Sequence, residues 1–153
     1  MKSFVTTSLL ALTLIGPAVY ASDSETSPNV HAADHDYAAG KQAVARKDWP
    51  AAVASFRKVV AADPNNADGY NMLGYSLRSM GKIDEALAAY DRALAINPKH
   101  MGALEYSGVA YLKAGQPAKA KEQLAKLEAL GGKSSEEYRD LQEAIEKYDA
   151  GQH

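Results

Sequence analysis

The residues best suited to chemistry stand early in the chain, in the run His31-Ala-Ala-Asp34-His35-Asp36. On a helix, His31 and His35 are one turn apart on the same face, a spacing that can chelate a divalent cation. The same run straddles a polar leader and the start of the first helix, where Asp34 or a neighbour serves simply as a cap. Two imidazoles without further groups to orient them make a weak site, so no metal is expected. Elsewhere there is no glycine-rich phosphate loop, no G-x-S-x-G turn and no H-E-x-x-H pair. Serines and carboxylates are abundant, but no histidine stands at a spacing that suggests a triad. His100, beside Pro98, reads as a turn residue at a helix start, and His153 is terminal. With no cysteine, thiol nucleophiles, Cys-ligated zinc and disulfides are excluded. The expectation is a chain with no catalytic residue, no cofactor and no enzymatic activity.

Bulk composition narrows the remaining classes. A chain of 153 residues with 46% hydrophobic and 24% charged residues suits one ordinary globular domain rather than a disordered segment. Lys and Arg number 17 against 19 Asp and Glu, a net charge of −2, which argues against a nucleic-acid binder.

The N-terminal end has a different logic. Lys2 precedes an apolar run centred on Leu9–Ile15, Gly16-Pro17 breaks it, and the small residues Val19 and Ala21 follow at alternate positions. That is the layout of a secretory signal peptide over residues 1–21. Its apolar span is shorter than the ~20 residues of a permanent membrane helix, so no stable span is expected after removal. Residues 22–33 are polar, include Pro28 and lack an apolar period, and read as a flexible leader. The expected location is outside the cytoplasm, in the periplasm first and secreted second.

From there a period of 34 residues governs the chain. Gly40, Gly74 and Gly108 mark it, as do Ala52, Ala86 and Ala120, and then Phe56, Tyr90 and Leu124. Pro64 and Pro98 share another column, whose third place holds Gly132. In the middle unit Tyr70, Leu73 and Leu77, then Ile83, Leu87, Tyr90 and Leu94, recur at helical spacing on two segments. Gly81 suits the left-handed residue that ends the first, and Asp84 or a neighbour can cap the second. Each unit is therefore two antiparallel helices, with Gly74 and Ala86 small because the axes approach closely. Pro98 stops the second helix.

This pattern resembles the tetratricopeptide repeat family, whose signature runs W-x₂-L-G-x₂-Y, then A-x₃-F, then P. Residues 67–100 match best, through Tyr70, Leu73, Gly74, Leu77, Ala86, Tyr90, Ala93 and Pro98. Residues 33–66 keep Gly40, Ala52, Phe56 and Pro64 but depart at Asp36 and Ala39. Residues 101–134 keep Leu104, Gly108, Tyr111, Ala120 and Leu124, with Ser107 and Gly132 as departures. The resemblance implies an all-α, right-handed solenoid of three helix-turn-helix units over residues 33–134. Residues 135–149 should form a C-terminal capping helix. There Ser134 and Glu137 fit a capping box, and Tyr138, Leu141, Ile145 and Tyr148 form one apolar stripe.

Stacked helix pairs work by shape, their first helices lining a concave face. Family members hold peptides against positions 2, 5, 9, 12 and 13 of the first helices. Carried onto this sequence, the resemblance implies a groove with Asn71, Tyr75 and Arg78 at its centre and Tyr37, Lys41 and Lys113 flanking. Tyr and Arg are enriched among residues that dominate binding energy. The family's clamp for acidic C-terminal tails looks absent. Tyr37 and Lys41 stand where its first-repeat Lys and Asn would be, and Glu105 and Val109 where its third-repeat cations would be. The expected function is a non-catalytic adaptor or scaffold of the cell envelope that holds a protein or peptide partner. A self-assembling homo-oligomer is the second reading, and metal binding or catalysis through the His31 region the third.

Overall fold

In the computed structural model, which describes residues 28–151, the chain forms seven α-helices, with no strand among those residues. They are α1 (Pro28–Ala45), α2 (Trp49–Ala62), α3 (Ala67–Ser79), α4 (Ile83–Ile96), α5 (Met101–Lys113), α6 (Pro117–Gly131) and α7 (Glu136–Asp149). Helices pair as hairpins α1–α2, α3–α4 and α5–α6, and the second helix of each pair rests on the first helix of the next. α7 packs on both α5 and α6. This is the expected all-α solenoid of three units with a helix closing its end.

The three hairpin turns share one backbone solution. Lys47, Gly81 and Gly115 stand one period apart, with φ of 58°, 77° and 71°. A left-handed residue ends each first helix and reverses the chain within a few residues. The connections between units are opened by side-chain caps: Asn66 accepts from the Gly69 N–H at 2.7 Å and His100 Nδ1 accepts from the Ala103 N–H at 3.2 Å.

Two apolar clusters form the core. One joins the first two units around Phe56 and Tyr90, both fully buried; the other joins the third unit to α7 around Leu104, Leu127 and Leu141. The glycine column shows why the pairs sit so close. A Cβ at Gly40 would stand 2.7 Å from the Phe56 ring, and one at Gly74 would stand 2.6 Å from the Tyr90 ring. Real side chains do not approach so closely, so each glycine is the socket for its own unit's aromatic ring.

Four local expectations need correction. α1 begins at Pro28, so residues 28–33, assigned to a flexible leader, have helical backbone. Asp34 is consequently inside α1 and caps nothing, because Pro28 has already supplied the fixed φ of a helix start. α4 takes Lys82 as its N-cap with no side-chain hydrogen bond, and Asp84 lies in its first turn, where it complements the helix dipole instead. α7 is capped by Ser135 rather than Ser134: its Oγ accepts from the Tyr138 N–H at 3.3 Å while donating to the Gly132 carbonyl at 3.2 Å. The third socket also differs, since Gly108 faces Leu141 of α7 and not Leu124 of its own unit. Leucine is shorter than a ring, and α7 fills the space that Leu124 leaves. The signal segment, residues 1–21, lies outside the described residues.

Candidate functional site

Helices α3, α5 and α7 present one continuous side of the solenoid, because α3 packs on α5 and α5 on α7. Helical spacing puts Asn71, Tyr75 and Arg78 along α3 on successive turns of that side. Around Tyr75 a chain of stacked groups runs across three helices. The Trp49 ring, at the start of α2, meets Tyr75 edge-on at 5.9 Å between centroids and 70° between planes. Tyr75 meets Tyr106 of α5 at 5.2 Å. The Arg78 guanidinium lies 5.4 Å from the Tyr75 ring centre and 5.6 Å from that of Tyr106. Aromatic pairs contribute about 0.5–1.5 kcal/mol each beyond burial, and a guanidinium over a ring contributes a similar amount. The cluster is therefore a rigid platform of half-buried rings with a positive centre.

Beneath this platform the Arg78 Nε and the Tyr90 hydroxyl are buried, and the Arg78 guanidinium interacts with the Tyr90 phenol. Burial holds the Tyr90 phenol well above its usual range; the neighbouring Arg78 opposes that shift without reversing it. Asn71 is 7% exposed and its Oδ1 accepts no hydrogen bond. Its Nδ2 lies 3.5 Å from where a Cβ on Gly102 would stand, an ordinary contact distance.

Towards α7 the face turns acidic. Glu105, half-buried on α5, has its carboxyl pushed up to about 7, first by burial and then by Asp140 and Glu137, with Arg78 opposing and Glu136 adding to the rise. Burial, followed by Glu105, also raises Tyr106.

The six residues expected to form the groove divide into two sets. Tyr75 and Arg78 touch, with Asn71 one turn before Tyr75 on the same helix. Arg78 and Lys113 line one cavity. Tyr37 instead packs edge-on against Phe56 at 5.6 Å, and its phenol is raised by burial and then by Asp68. Lys41 is exposed on α1, apart from the cluster. Trp49 and Tyr106, central to the platform, were not among the expected residues. Their columns hold Ile83 and Pro117 with Trp49, and Ala38 and Met72 with Tyr106, so periodicity gives no signal for either.

In the His31 region, His35 is exposed one turn after His31, whose side chain lies outside the described residues. Among the described residues no three His, Asp or Glu side chains gather as a metal would require. Nor is any helix among them long and apolar enough to cross a membrane.

Comparison with known proteins places this geometry. Residues 67–100 and residues 103–130 each match a tetratricopeptide repeat. No curated protein matches the chain. Among solved structures, the chain is similar to the TPR2B domain of yeast Sti1 in complex with pHsp70, at 23% identity over 79% of this chain and 98% of that one, with a TM-score of 0.71. It is similar to the TPR domain of Arabidopsis OM64, at 18% identity over 78% and 98% of the two chains, with a TM-score of 0.72. The translocator chaperone SycD of Yersinia enterocolitica type III secretion follows at 16% identity, over 80% and 96%, with a TM-score of 0.70. With two matched repeats, a third hairpin built the same way and this shared solenoid, the chain belongs to the tetratricopeptide repeat family.

Proposed function

We propose that this chain is a non-catalytic adaptor that holds an extended segment of a partner protein against the face built by α3 and α5. The observation that carries the reading is the platform of Trp49, Tyr75, Arg78 and Tyr106, with Asn71 beside it. Half-buried rings offer contact area at little loss of side-chain freedom, and the Arg78 guanidinium adds a directional charged group at their centre. Solved tetratricopeptide domains of the same fold are described in complex with Hsp70 and Hsp90 peptides, which supports a peptide as the ligand class. Glu105, Glu137 and Asp140 at the α7 end argue against an acidic tail there, because like charges on leaving water repel without compensation.

The layout of residues 1–21 supports export, with the periplasm as the working compartment. A photo-crosslinking residue placed at Lys113, exposed on α5, and another at Lys126, exposed on α6, test the reading in the native envelope. A partner should be trapped from position 113 and not from 126. The Tyr75→Ala/Arg78→Ala double substitution should abolish the product. Equal trapping from both positions, or trapping unaffected by the double substitution, would remove the first-helix face from the function.

A further inference from the structure

Where the α3–α4 turn, α5 and α7 meet, the surface opens into a cavity of about 680 Å³. Ile83, Val109, Leu112 and Ala144 supply apolar wall, and Arg78 and Lys113 are among its charged members. The third charged member, Lys147, already pairs with Glu143 along α7. No acidic residue lines the cavity. No carboxylate among the described residues lies within ion-pair distance of Arg78 or Lys113. Lys113 is therefore the unpaired cation at the rim, while Arg78 beside it is already engaged by the Tyr75 and Tyr106 rings and by the charge of Glu105. An apolar hollow bordered by net positive charge is complementary to an anion carried on an apolar body.

We infer that this cavity binds an aliphatic carboxylate, an acyl anion with its head between Lys113 and Arg78 and its chain along Ile83, Leu112 and Ala144. A peptide would bring backbone amides against these aliphatic walls, where they would lose water without gaining partners. A hydrocarbon chain brings none, and its single charged end meets Lys113, with Arg78 adding to the positive field. The size falls within the range of small-molecule sites, about 300–1,000 Å³. This inference does not rest on the adaptor reading, although Arg78 and Lys113 border both regions.

Calorimetric titration of the full chain with hexanoate, octanoate and decanoate, each below its micelle concentration, tests it. Affinity should rise roughly two- to fourfold for each added methylene, the upper figure corresponding to complete burial. Decanol should bind at least tenfold more weakly than decanoate, and decyltrimethylammonium should not bind. Ala144→Leu, which fills the cavity, should abolish decanoate binding with helical circular dichroism retained. Should that variant unfold, Lys113→Gln, at an exposed position, carries the test through a tenfold loss. Affinity independent of chain length, equal binding of the cationic amphiphile, or decanoate binding unchanged in the folded variants would overturn the assignment. So would displacement of decanoate by an acetylated peptide ending in leucine at lower concentration than decanoate itself binds. That last result would leave the cavity as part of a peptide site.

Discussion

His100 and Asp68 tie the second unit to the third. His100 Nε2 lies 2.9 Å from the Asp68 carboxylate on α3, while its Nδ1 accepts the Ala103 N–H at the start of α5. A neutral imidazole can accept at one nitrogen only if the other carries the proton, so Nε2 donates to Asp68. One ring therefore caps α5 and orients α5 against α3, the two helices that carry Tyr75 and Tyr106. His100→Ala should lower stability by about 1–2 kcal/mol, from loss of the cap together with a charge-assisted hydrogen bond to an exposed carboxylate. His100→Asn keeps a good cap but is too short to reach Asp68, and should lose less than half as much. Urea unfolding midpoints of the three proteins check the order; an Asn variant as weak as Ala would mean the cap is not what matters.

Lys47 performs in the first turn what glycine performs in the other two. At φ 58° its Cβ crowds the neighbouring carbonyl, a strain that Gly81 and Gly115 avoid. Lys47→Gly should therefore stabilise the chain by roughly 1 kcal/mol, part of the relief being offset by glycine's greater freedom when unfolded. Gly81→Ala and Gly115→Ala should each destabilise by a similar amount. The measurement is again the urea midpoint at constant slope, and a Lys47→Gly protein weaker than wild type would contradict the turn geometry.

Glu105 links the binding face to pH. Its carboxyl titrates at about 7 in the fold against an ordinary 4.5, chiefly because of burial. A raised acid binds more protons folded than unfolded, so its contribution is fully present below the unfolded value and is lost as pH rises through the folded one. Glu105→Gln should match wild type near pH 4 and exceed it at about pH 8. The margin is on the order of 1 kcal/mol, well below the full shift because the half-exposed group is screened by water. Unfolding midpoints at the two pH values give the difference. An advantage of Gln that is larger in acid than in base would reverse the assigned sign.

Much of this architecture is legible in the sequence because it depends on one short-range condition met in each of the first two units. Gly40 and Gly74 need only a ring sixteen residues later, and Phe56 and Tyr90 are there. The site is less legible because it depends on contacts between units. Trp49 reaches Tyr75 only once the α2–α3 packing angle is set, and nothing local fixes that angle. Glu105 becomes a raised acid first through burial and then through Asp140 and Glu137, which lie on a helix outside the repeat. The helix caps went astray by one or two residues where several polar side chains compete, as at Ser134 and Ser135.

Gly108 and Leu141 offer the sharpest test of how α7 closes the array. A Cβ at Gly108 would stand 2.5 Å from Leu141 Cδ2, and Leu141 is fully buried. In the wild-type background Gly108→Ala should thus destabilise by about 1–3 kcal/mol, overpacking outweighing the better helix propensity of alanine. Leu141→Ala alone should cost about 2–5 kcal/mol through lost burial and the cavity left behind. Once that leucine is gone, however, the added methyl meets empty space. Gly108→Ala should then stabilise the Leu141→Ala protein by about 1 kcal/mol, since propensity and partial filling of the void now act together. The four proteins form a double-mutant cycle whose coupling measures the contact directly. A loss of the same size from Gly108→Ala in both backgrounds would mean that Leu141 does not occupy the socket and that α7 seats against α5 some other way.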